Sequence, residues 1–274
     1  MQKHYPFISI VVVFILFLQL TSCKKIDNIL HGQINEELKL CNIKQMNIKF
    51  TGFADIKTFN FAYDSHNNPL SRLTATPNLG TPNMYFLYNE KERLSEIIEA
   101  YGFIDPTNFP ATFAFELWIK YTYGSSSKKL QPIADTVYEF GGYQNGHIVI
   151  CNTCPPKIIE NYEYDAEGRV SKVISNRLGV ISTVEYKYNS QGNLIRSGVL
   201  YDDKINIHRT NGVWMLFDKD YSRNNSFIAK SYNSKDLPEI ITNQFTTFLN
   251  SNYIIYPFSD ATINYMCDEK LVIN

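Results

Sequence analysis

The chain has 274 residues, and its 26 basic and 27 acidic side chains leave a net charge of −1. That balance gives no reason to expect nucleic acid or an anionic surface as partner. Aromatic residues make up 14%, with 19 Tyr and 18 Phe, and because such residues fit pleated, half-buried surfaces the composition favours strands over helices.

The first element is an apolar run. Met1 to Phe7 carry Lys3, and Ile8 to Leu20 are almost unbroken hydrocarbon before Leu20-Thr21-Ser22-Cys23. The run is short for a membrane-spanning helix, which needs roughly 20 apolar residues, and matches the core of a secretory signal. Its ending resembles the bacterial lipoprotein signal, which implies cleavage before Cys23, acylation of that cysteine and attachment to a membrane through the lipid. Two or three acyl chains, at about 0.8 kcal/mol per buried methylene, hold a domain firmly without any spanning helix. Lys24 stands where inner-membrane retention typically uses Asp, so the outer membrane is the expected location, with the leaflet open. The expected organisation is a signal at 1–22, a lipid-anchored tether at 23–45 with a short helix near Asn35–Leu40, and one β domain at 46–274.

With Cys23 assigned to lipid, Cys41, Cys151, Cys154 and Cys267 remain. Four cysteines in an exported protein permit three pairings. The preferred one is Cys151–Cys154 locally and Cys41–Cys267 across the domain. The long bridge contributes about 3–5 kcal/mol on the chain-entropy model.

A degenerate tyrosine repeat follows. Tyr164-Asp-Ala-Glu-Gly168-Arg-Val recurs as Tyr188-Asn-Ser-Gln-Gly192-Asn-Leu, with weaker copies beginning at Tyr63, Tyr88 and Tyr232. Upstream of each tyrosine apolar residues alternate with polar ones, as in Phe59, Phe61, Tyr63 and Val184, Tyr186, Tyr188, the signature of a strand with one buried face. The Asp or Asn that follows can bond the backbone two residues on, and Gly168 and Gly192 accept a left-handed φ. Each unit therefore reads as a β-hairpin, and hairpins are stable only when paired into a larger sheet. The units resemble the YD (RHS-type) repeat, most fully at Tyr164–Val173, over residues 57–101 and 157–242. The resemblance implies an antiparallel all-β meander of hairpins forming an extended curved or partly wrapped sheet, and small lipoproteins carrying a few such repeats are the nearest comparison. It implies no activity.

Between the repeats, Phe113, Phe115, Leu117, Ile119, Tyr121 and Tyr123 alternate on one expected face, while Trp118 falls on the opposite, mostly polar one. If that face is solvent-exposed, Trp118 is the best binding contact in the chain, and Trp214 is a second aromatic candidate for a glycan or protein ligand. Cys151-Asn-Thr-Cys154 has thioredoxin-like spacing but sits between strand-like segments, where a structural pair is the stronger reading. Asp218-Lys-Asp220-Tyr-Ser222-Arg-Asn224 spaces oxygens like a calcium loop but lacks the turn glycine and the final glutamate. His66, His147 and His208 read as scattered surface or loop residues, Asp202-Asp203 as a turn, and Asp135-Thr136-Val137 as a weak glycosylation motif. No cofactor and no catalytic residues are expected. The expectation is a non-catalytic binding or scaffolding lipoprotein of the cell envelope. A periplasm-facing assembly or carrier factor is the alternative, and thiol-disulfide exchange comes third.

Overall fold

The computed structural model describes residues 41–50, 55–78, 81–105, 108–150, 157–242 and 258–267. Cys23, the expected signal, most of the expected tether and its expected short helix, and Cys151 and Cys154 lie outside them.

The described residues form fourteen strands, a 3-10 turn at Ile207–Thr210 and one short α-helix: β1 (Asn42–Phe50), β2 (Ile56–Tyr63), β3 (Pro69–Leu73), β4 (Asn83–Tyr88), β5 (Leu94–Ala100), β6 (Thr112–Thr122), β7 (Ala134–Gln144), β8 (His147–Ile150), β9 (Ile158–Tyr164), β10 (Val170–Arg177), β11 (Val180–Glu185), α1 (Gly212–Asp218), β12 (Ser231–Tyr232), β13 (Pro238–Ile241) and β14 (Phe258–Met266). All belong to one open antiparallel sheet in the order β11-β10-β9-β7-β6-β5-β4-β3-β2-β1-β14-β13-β12, with β8 beside the far half of β7. β1 starts at Asn42, so strand structure extends into the segment read as tether. Its partner β14 ends beside it, and Cys41 and Cys267, which flank the paired Asn42 and Met266, form a disulfide.

All five repeats make the same turn. Asp64, Asn89, Asp165, Asn189 and Asn233 each accept two backbone N–H bonds on Oδ1, from the residues two and four positions on. Each also donates its own N–H to the carbonyl four positions on. The turn therefore rests on the Asx side chain, which fills the donors that a tight turn orphans. The residue three positions after each Asx takes a left-handed φ, Gly at 168 and 192 but Asn67, Glu92 and Asp236 elsewhere. Copies without glycine make the same turn, because the side-chain bonds outweigh a left-handed cost of about 1–2 kcal/mol. Glu92, at φ 54°, carries that cost most plainly. Glu92→Gly is expected to raise stability by about 0.5–1 kcal/mol, since its ion pairs at 3.9 Å are exposed and contribute little. Thermal melts of the variant beside wild type check this.

One face of the sheet wraps around α1. Trp214 of α1 meets Phe61 and Tyr63 of β2 and Phe86 of β4, while Lys219, just past its end, reaches Glu160 of β9. From β2 to β9 is six lanes, roughly 29 Å at about 4.8 Å each, yet Trp214 and Lys219 are five residues apart on an element about 10–12 Å wide. The sheet must curve to touch both. Asn211 caps the helix, its side chain accepting from the Val213 N–H, as Asn commonly does. The concave face carries the main core, with Met46, Phe59, Met84, Ile97, Leu117, Val137 and Ile263 buried against Trp214, Leu216 and Phe217.

The convex face carries a second, smaller cluster of Tyr85, Ile98, Phe115 and Trp118 beneath Ile104 and Phe109. Here the expected alternation fails. Phe113 and Phe115 join Trp118 on this face, whereas Leu117 and Ile119 face the main core. The β5–β6 register shifts at this point, with Glu99 opposite Leu117 but Ala100 opposite Phe115. Glu116 is the extra residue of a bulge, which re-aims the strand.

Candidate functional site

The concave face is left open at the β11 end. In repeats 1, 2, 3 and 5 the strand after the turn runs back along its partner as β3, β5, β10 and β13. In repeat 4 it pairs at Tyr188–Leu194 and through the Ile195 N–H to the Lys187 carbonyl, then turns inward toward α1. Every residue of β11 is exposed in consequence. Val184, placed by alternation on the buried face, is 50% exposed.

Below that edge lies a groove of about 620 Å³. Ile158, Val173, Val180, Val184 and Tyr186 form its apolar walls, and Glu160, Ser175, Arg177 and Lys219 its polar floor and mouth. Strand periodicity places these residues on one face, since Ile158, Ser175 and Ser182 belong to mutually paired lanes at alternate positions. Ser175 Oγ donates to Glu160 at 2.9 Å, Lys219 Nζ lies 3.4 Å from Glu160, and Arg177 donates to both oxygens of Glu139 at 2.9 and 2.8 Å. Tyr162 donates to Asp135 at 2.5 Å. Both cations of the groove thus have carboxylate partners.

Burial, reinforced by the charge of Glu160, pushes the Asp135 carboxyl up to about 7. Burial also raises Glu139, against the opposing pull of Arg177. Burial alone would lower Lys219, but Glu160 and Asp135 outweigh it and hold the ammonium above its ordinary value. This lysine occupies the left-handed position after α1, φ 53°, usually given to glycine. An ammonium held between carboxylates is a charge anchor rather than a nucleophile.

Elsewhere on the concave side, burial raises Glu99 to about 8 despite Arg72. Burial would lower His208, yet its hydrogen bond and charge interaction with Asp218 raise it. Groups raised by folding stabilise the fold below their unfolded pKa and lose that contribution as pH climbs through the folded one. For Asp135 the window runs from about 4 to 7, for Glu99 from about 4.5 to 8, and His208 loses its contribution above 6.5. Asp64 and Asp220 are lowered against their burial, Asp64 by hydrogen bonds from Asn68 and Asp220 by the charges of His208 and Arg196, so they lose stability only on the acid side. Stability is therefore expected to peak near pH 4 and to fall steadily as pH climbs to 9, read as a falling Tm. Melts across pH check it, and Asp135→Asn with Glu99→Gln is expected to flatten the profile.

The residues singled out from sequence do not converge on this groove. Trp118 is 2% exposed; its Nε1 donates to Glu96 at 2.6 Å and Phe113 stacks on it. The solvent-facing condition on which its role depended is not met, because Ile104, Phe109 and Phe113 pack over it. Trp214 is fully buried beneath the sheet. Asp218 bonds His208, while Asp220 binds the Ser222 N–H and lies 3.4 Å from Arg196, so the calcium-like oxygens are engaged internally. Among the described residues no cluster of three His, Cys, Asp or Glu side chains is placed to hold a metal. His66 and His147 are exposed, but His208 is buried. Asp202 accepts the Lys204 N–H in an Asx turn, and Thr136 is half-buried within β7. The groove residues carried one signal, the alternation of Val180, Ser182 and Val184. That no described strand pairs beyond β11 left none. Compared with models of protein families and with characterised proteins, the chain matches none.

Proposed function

We propose that this chain is a cell-envelope lipoprotein, acylated at Cys23 and held at the outer membrane, whose repeat domain binds a partner without catalysis. The anchoring rests on the Leu20–Cys23 motif, and the kinship with YD-repeat lipoproteins on the Tyr-Asx turns. The binding role rests on one observation: among the described residues the repeat sheet ends in an unpaired six-residue edge above an open groove. The apolar walls of that concave groove also favour a second reading, a periplasm-facing factor that carries or helps assemble a client. Thiol-disulfide exchange at Cys151 and Cys154 draws no support from the groove.

Two measurements test the proposal. Labelling with radioactive palmitate is expected to mark wild type and not Cys23→Ser, and protease treatment of intact cells separates a surface location from a periplasmic one. A photo-crosslinking side chain at Val184 is expected to form adducts in living cells, and one at Leu70, a far exposed position, is not. Adducts at neither position would sink the binding role.

A further inference from the structure

The groove reading raises the question of what occupies the lane beyond β11. Resting on that reading, we propose that β11 accepts an extended, uncharged segment of another polypeptide, about six residues long, added to the sheet as an antiparallel strand.

β10 and β11 join through a two-residue turn, Leu178-Gly179, at φ 53° and 82°, with Arg177 opposite Val180. In an antiparallel ladder, inward and outward main-chain groups alternate. The Tyr186 N–H bonds the Ser171 carbonyl toward β10, so the even residues face β10. The N–H and C=O groups of Ile181, Thr183 and Glu185 face the open side, where no strand pairs among the described residues.

The edge also lacks protection. Exposed edges are ordinarily blunted by Lys, Pro, bulges or short length. The opposite edge, β12, has only two residues. β11 runs Val-Ile-Ser-Thr-Val-Glu in unbroken register, with Val180, Ile181 and Val184 at 71, 67 and 50% exposure.

Leu178 takes the first position of the β10–β11 turn. A bulky residue at the first position of such a turn is strained where Asn or Gly fits without cost. This leucine is nevertheless 78% exposed and lines the mouth of the groove. Strain kept at an exposed apolar position marks a contact that stability does not explain.

The occupant follows from size and charge. Three open residues and one groove suit the main-chain bonds and alternate side chains of a single added strand. They fall short of the roughly 1,200 Å² that a stable pairing of folded copies buries. Arg177 and Lys219 already hold Glu139 and Glu160, and Lys187 holds Glu185, so nothing here selects a charged segment. Alternate apolar side chains of the incoming strand would cover Val180 and Val184 and enter the groove.

The test selects random octapeptides on the full-length chain and measures the enriched ones by fluorescence anisotropy. Alternating apolar peptides are expected, binding at least tenfold more weakly to Thr183→Pro. That substitution removes an outward N–H and leaves the β10 ladder intact, as proline on an edge strand does, so its melting curve is expected to match wild type. Leu178→Asn is expected to melt higher and bind more weakly. Equal binding to wild type and Thr183→Pro overturns strand addition while the groove reading stands. No enriched peptide, with Val184 adducts still forming, does the same; with no adducts both fall. A concentration-dependent dimer abolished by Thr183→Pro, without peptide binding, overturns the proposal in favour of a second copy.

Discussion

Replacing Cys41 and Cys267 together with serine is expected to lower stability by about 5 kcal/mol and the melting temperature by roughly 10–20 °C. The bridge spans 226 residues, so it encloses the whole described sheet, and loop-closure entropy grows with the logarithm of that length. It closes a lane whose two strands are as far apart in sequence as the chain allows them to be in a sheet. β1 and β14 pair from Asn42–Met266 to Phe50–Phe258, and without the bridge their association must meet the full entropic cost of closing that loop. Because most of the effect lies in the unfolded chain, the urea m-value is expected to rise as the midpoint falls, since an unlinked chain expands further. Reductant added to wild type should reproduce the variant. A loss below about 1 kcal/mol would show that the β1–β14 ladder holds the lane unaided.

Much of the sheet could be read from the sequence because its unit is local. Tyr-Asx followed by a residue that tolerates positive φ specifies a turn within six residues, and alternation on either side specifies two strands. The Asx oxygen, rather than the glycine, proved to be the informative atom, which is why Glu92 and Asp236 turn as Gly168 does. The preferred pairing of Cys41 with Cys267 is the one present, but what brings the two together is non-local: β14 lies beside β1.

What the sequence concealed is non-local. A period of two says that a face is buried but not by what, so the role of Trp118 hung on a solvent-exposed face that is instead covered by Ile104 and Phe109. The Glu116 bulge shifts the phase of β6 by one residue with no glycine or proline to announce it. α1 is seven residues long, too short to show helical periodicity, and His208 is buried only because the segment before that helix lies inside the curve of the sheet. The groove is least legible of all, since it exists where the chain after Ile195 fails to continue a repeat.

Trp214→Ala is the second large effect, expected to cost about 3–5 kcal/mol. The indole is fully buried, with Phe86 at 5.3 Å, Phe61 at 5.9 Å and Tyr63 at 6.4 Å, all edge-on. Edge-to-face pairs add about 0.5–1.5 kcal/mol each beyond the area they bury, so a cavity here forfeits more than one side chain's transfer energy. Trp214→Phe retains part of the packing and is expected to lose about half as much. The consequence reaches beyond stability because α1 is what the sheet curves around. Lys219 follows α1 by one residue, and its contact with Glu160 sets the floor of the groove. A smaller ring at position 214 lets the helix settle toward β2 and β4 and draws Lys219 away from β9. Trp214→Phe is therefore expected to weaken peptide binding at β11 even under conditions where it is fully folded. Leu178→Asn weakens binding while raising the melting temperature, so measuring both quantities for the two variants separates a groove that needs its curved support from one built by the β10–β11 hairpin alone.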